Sequence, residues 1–91
     1  MLERTLQRKI IRLCKKHAIL TRKLDATNHR GWPDLIAIKG GVVVFLEIKT
    51  PTGRVSELQQ VTHRELAAHG AVVEVVRSLE EAQEIILKYF A

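Results

Sequence analysis

Asp34, Glu47 and Lys49 are the residues of this 91-residue chain whose types and spacing could do chemistry. They lie in the stretch PDLIAIKGGVVVFLEIK, where two runs of strand-forming residues flank Gly40-Gly41 and the acidic groups stand at one end only. If the two glycines are the central pair of a tight hairpin turn, cross-strand partners have numbers summing to 81 (40 + 41), and Asp34 faces Glu47. Lys49 shares Glu47's face because strand side chains alternate with period two. Like charges directly opposite each other destabilise a sheet, and unpaired charge beside a core costs more than at the surface. A divalent cation resolves that conflict. Oxygen ligands suit magnesium or manganese, and such an ion activates water and neutralises charge developing on a phosphate. The ammonium of Lys49 would orient or deprotonate that water, or stabilise the developing charge. The plain alternative is a structural salt-bridge cluster at a strand end.

The elements around this triad must hold it in place. The same counting pairs Ile36 with Phe45 and Ile38 with Val43 on the charged face, and Leu35 with Leu46 and Ala37 with Val44 on the other. Both faces are apolar, as in central strands covered by helices. Upstream, Leu2, Leu6, Ile10, Leu13 and Cys14 fall on one face of a first helix, opposite Arg4, Arg8, Arg12, Lys15 and Lys16. Glu3 sits at the apolar border of that helix, where it would either approach the metal or favour the helix dipole. Residues 19–26 read as a weak edge or near-edge strand, and 27–32 as a loop that delivers the chain to Asp34. In that loop His29 and Arg30 are candidates for gripping a phosphate, and Trp32 for core packing ahead of stacking on a base or meeting a dimer partner.

A turn-rich connection, 50–54, brings Arg54 to the same end of the sheet as a further phosphate contact. Ser56 and Gln59 have capping-box spacing, so Gln59 has a structural use of its own. The second helix is expected to turn Leu58, Val61, Thr62 and Leu66 inward and to end near Gly70. Residues 71–77 read as a buried strand, set parallel to the Glu47 strand by the helical crossover. Ser78 and Glu81 cap a final helix with Leu79, Ala82, Ile86, Tyr89 and Phe90 on its apolar side. His17, His63 and His69 read as surface residues, because none has a partner at metal-binding spacing.

Composition narrows the function classes. The length suits one domain over residues 1–91, with a core modest enough that dimerisation would help. Fifteen Lys and Arg against ten Asp and Glu give a net charge of +5, which favours a polyanionic partner. The single cysteine, Cys14, excludes an intramolecular disulfide, reads as core filler and fits a reducing cytoplasm. No apolar run is long enough for a signal peptide or a membrane span.

Pro33-Asp34 followed by Glu47-Ile48-Lys49 resembles the metal-binding signature of the PD-(D/E)xK nuclease superfamily. Within it the chain resembles the virus-type replication-repair nuclease (VRR-NUC) domain, of the small stand-alone type. The resemblance takes in Gly31-Trp32-Pro33-Asp34-Leu35 and Gly53-Arg54-Val55-Ser56-Glu57-Leu58-Gln59, and it spans nearly the whole chain. It implies an α/β fold with a restriction-endonuclease-like core, a mixed central sheet flanked by helices in the order αβββαβα. It further implies magnesium- or manganese-dependent hydrolysis of phosphodiester bonds in DNA. On that resemblance Asp34 and Glu47 hold the metal with the backbone carbonyl of Ile48, Lys49 is catalytic, Gln59 supports the site and Glu3 completes it. Similarity to Holliday-junction resolvases implies a homodimeric, structure-selective endonuclease acting on branched DNA, in a bacterial, phage or prophage setting. Flap or nicking activity, a restriction-like duplex nuclease, and a non-catalytic branched-DNA-binding module are the alternatives.

Overall fold

Leu6, Ile10 and Cys14 recur at helical spacing, and helix α1 (Glu3–Lys16) buries all three. This computed structural model describes residues 2–24 and 31–91. Strands β1 (Leu20–Lys23), β2 (Leu35–Lys39) and β3 (Val42–Ile48) follow, then helix α2 (Glu57–Ala68), strand β4 (Val72–Val76) and helix α3 (Leu79–Phe90). The αβββαβα order is the expected one. The first strand is shorter than the expected span 19–26, and it forms one edge of a four-stranded sheet ordered β1-β2-β3-β4.

Gly40 and Gly41 both take positive φ, +57° and +80°, as a two-residue hairpin turn demands. Register follows from that turn. Leu35 pairs with Leu46, Ile36 with Phe45, Ala37 with Val44 and Ile38 with Val43, as the sum rule requires. The crossover through α2 sets β4 parallel to β3, and Lys49 N–H donates to the Val76 carbonyl (3.0 Å), carrying the ladder one residue past β3.

The two faces of the sheet are covered unequally. Leu35, Ala37, Val44, Leu46, Ile48 and Val76 pack against Leu6, Ile10 and Cys14 of α1 and Ala82, Ile85, Ile86 and Phe90 of α3, forming one core. The other face carries Ile36, Ile38, Val43, Phe45 and Glu47, and only α2 lies over it. Val43 is 40% exposed, so helices flank both faces as expected but α2 covers this one only in part. Leu2, expected on the apolar face of α1, is also exposed, because it precedes the helix as its N-cap.

Helix α2 departs further from expectation. It contains no fully buried residue, and Leu58 and Val61, expected to point inward, are each 50% exposed. The half-buried positions are Gln59, Thr62, His63 and Leu66, the i, i+3, i+4, i+7 stripe of a helix face. That mostly polar stripe is what meets the sheet, because it meets a carboxylate there.

Candidate active site

The ladder between β2 and β3 stops at Leu35 and Leu46, and the next residues outward are Asp34 and Glu47. Asp34 is fixed at both ends. Its backbone carbonyl accepts from Leu24 N–H (2.9 Å) past the end of β1, and its Oδ2 accepts from Ile48 N–H (2.7 Å) across the hairpin. A carboxylate held by a backbone donor on the neighbouring strand keeps a defined direction, and here it is brought against Glu47.

Glu47 is 1% exposed and is the only fully buried charged side chain among the described residues. Its Oε2 accepts from Gln59 Nε2 (3.2 Å) and lies 3.5 Å from Lys49 Nζ. Its Oε1 is enclosed and has no hydrogen-bond partner. Burial, and then the adjacent Asp34 carboxylate, push the Glu47 pKa up to about 7, against the opposing pull of Lys49. The Lys49 ammonium therefore only partly compensates the two acids.

The third arm of the site comes from α2. Ser56 Oγ accepts from Gln59 N–H (3.1 Å), and Gln59 Oε1 accepts from Ser56 N–H (3.0 Å). The capping box thus uses the amide oxygen of Gln59 and leaves its NH₂ for Glu47. Gln59 thus closes the capping box and donates to Glu47 at the same time. One turn on, His63 presents Nε2 at 3.7 Å from Glu47 Oε1 with only 13% of its side chain exposed, and this nitrogen too lacks a hydrogen-bond partner. Burial and the charge of Lys49 lower the His63 pKa, disfavouring the protonated ring. His63 is not the surface residue that the sequence suggested, and its i, i+4 spacing from Gln59 was the signal that could have found it.

The loop after Lys49 is held by the residue that follows β4. Arg77 Nη1 donates to the carbonyls of Thr50 (2.8 Å) and Gly53 (2.6 Å), a brace that sequence reasoning missed. Arg54 is exposed on the rim of a cavity of about 710 Å³ lined by Gly53, Arg54, Val55, Ser56, Glu57, Gln60 and Arg77. Trp32 packs edge-on against Phe45 with ring centroids 6.0 Å apart, on the same face as Glu47. Glu3 is exposed in the first turn of α1, a helix that packs on the opposite face of the sheet. His29 and Arg30 lie outside the described residues.

The donor set can be tested against the ion expected here. Among the described residues no three His, Cys, Asp or Glu side chains gather closely enough to hold a metal, which is unlike the closed ligand set of a structural zinc site. Two adjacent carboxylates, one with an enclosed and unpartnered oxygen, make instead the partial shell that suits magnesium, which keeps waters and substrate phosphates as its other ligands. The residues present fit such an ion.

A family model described as the VRR-NUC domain matches residues 2–80. No curated protein matches the chain. A solved structure described as a VRR-NUC domain superposes with a TM-score of 0.84 at 25% sequence identity, over 98% of this chain and 97% of that one.

Proposed function

Because this chain belongs to the VRR-NUC family and carries a nuclease-type domain, we propose that it is a magnesium- or manganese-dependent, structure-selective DNA endonuclease, working as a homodimer in the manner of a Holliday-junction resolvase. The observation that carries this reading is the buried Glu47 carboxylate, set against Asp34 with one oxygen unpartnered and an ammonium 3.5 Å from the other.

Asp34 and Glu47 would hold the ion, with the Ile48 carbonyl beside them. When bound, such an ion polarises a phosphate oxygen and lowers the pKa of its water. Lys49 orients the attacking water and stabilises negative charge as it builds on the phosphorus oxygens. Gln59 keeps Glu47 Oε2 in place, and Arg54 takes a flanking phosphate, as His29 and Arg30 would.

The dimer is supported by the open sheet face. Ile36, Ile38, Val43 and Phe45 are incompletely covered there, and Trp32, Leu58 and Val61 add exposed apolar surface. A second copy covering that face would bury it and bring in a second active site related by a two-fold axis. Cleavage of end-labelled four-way junction, flap, duplex and single-stranded DNA tests the selectivity. Symmetric cuts on opposing strands of the junction are expected, and preferential cutting of flap or plain duplex would overturn the resolvase reading.

A further inference from the structure

We infer that His63 is a positioning residue of this site: its imidazole Nε2 holds Glu47 Oε1 as Gln59 Nε2 holds Oε2, so that α2 orients the metal-binding carboxylate through two side chains one turn apart. The inference rests on Glu47 being a metal ligand, as proposed above.

Two buried polar atoms without partners, 3.7 Å apart and on facing elements, carry it. A buried polar group left unsatisfied costs free energy, and here each atom is the natural partner of the other. The separation is long for a finished hydrogen bond, and such bonds in catalytic sites often tighten only when the site is loaded. A neutral ring protonated at Nε2 donates to the carboxylate and adds no positive charge beside Lys49. The fold around His63 also favours this role over direct ligation, since Asp34, Glu47 and His63 do not gather into a three-ligand group. Both α2 side chains occupy the stripe that meets the sheet, which accounts for a helix turning polar residues inward and Leu58 and Val61 outward.

The test is calorimetric titration of Mn²⁺ into the metal-stripped 91-residue chain without DNA, for wild type, His63→Ala, His63→Gln and Glu47→Gln. Loss of a side chain that orients a metal ligand is expected to weaken binding about ten- to a hundredfold in His63→Ala. Most of that should return in His63→Gln, whose amide is a neutral donor, and Glu47→Gln should abolish binding. Nitrogen NMR of the wild-type chain reads the same inference without a variant, and Nε2 protonation is expected. Unchanged affinity in His63→Ala, no rescue by glutamine, or a ring protonated at Nδ1 alone would overturn the positioning role while leaving the metal site intact. Wild-type protein that binds no Mn²⁺ would overturn the metal reading as well.

Discussion

At the scale of single residues, the site is built by placing an acid where it is unfavourable. Glu47 has its folded-state pKa at about 7 against an ordinary 4.5, burial first and Asp34 second. For an acid raised in this way the folded state binds more protons than the unfolded state between those values, so stability falls as pH rises through the window. A displacement of this size corresponds to roughly 3 kcal/mol at most. The lowered pKa of His63 works the other way, adding stability as pH rises towards its ordinary value of 6.5. Glu47→Gln isolates the acid's share. Urea unfolding in EDTA at stepped pH should show wild type losing stability relative to Glu47→Gln from about pH 4.5 to 7. Saturating Mg²⁺ should remove that relative loss, because a bound cation restores the ionised form. Parallel pH profiles for the two proteins would show that Glu47 is not held in this state.

At the scale of elements, the hairpin is the rigid half of the site and α2 the dependent half. With no fully buried residue, α2 relies on its capping box and on a close backbone contact. Gly31 makes that contact: its φ is +87°, and a Cβ there would lie 2.7 Å from Thr62 Oγ1 and 2.9 Å from the Leu58 carbonyl oxygen. Gly31→Ala therefore combines a disfavoured backbone with a clash against α2, and should cost about 2 kcal/mol or more. Ser56→Ala should cost about 1 kcal/mol through loss of the cap. Both variants should also weaken Mn²⁺ binding, since both loosen the helix that carries Gln59 and His63. Destabilisation with unchanged Mn²⁺ affinity would show that α2 does not set the geometry of Glu47.

The same contrast explains what was legible in the sequence. Gly40-Gly41 fixes a two-residue turn, and from it the register and the meeting of Asp34 with Glu47 follow by counting. The orientation of α2 was not legible from its apolar residues, because Leu58 and Val61 face outward and the stripe that meets the sheet is mostly polar. Reading inward as apolar hid His63. Arg77 was hidden for another reason: it acts on backbone carbonyls more than twenty residues away, and no local pattern announces that.

At the scale of the whole molecule, charge and apolar surface divide between the two faces. Arg4, Arg8, Arg12, Lys15 and Lys16 are exposed on α1, which covers the face of the sheet opposite Glu47. On the proposed reading this stripe, within a net charge of +5, would add to general attraction to DNA without reaching the chemistry. Arg8→Ala with Arg12→Ala should weaken DNA binding and flatten its salt dependence while the cleavage rate at saturating protein stays the same. Light scattering should give twice the 10.4 kDa chain mass. Val43→Lys, placed in the open apolar face, should return the monomer. Among the described residues no helix is long and apolar enough to cross a membrane.

The central claim is that Asp34, Glu47 and Lys49 hydrolyse DNA through a divalent cation. Single-turnover cleavage of an end-labelled four-way junction, in Mg²⁺, in Mn²⁺ and in EDTA, tests it most directly when run with wild type, Lys49→Ala and Glu47→Gln. The expected result is cleavage by wild type in either metal, none in EDTA, and rates lowered about a hundredfold or more in both variants. Cleavage that persists in EDTA, or that survives Lys49→Ala at the wild-type rate, would contradict it.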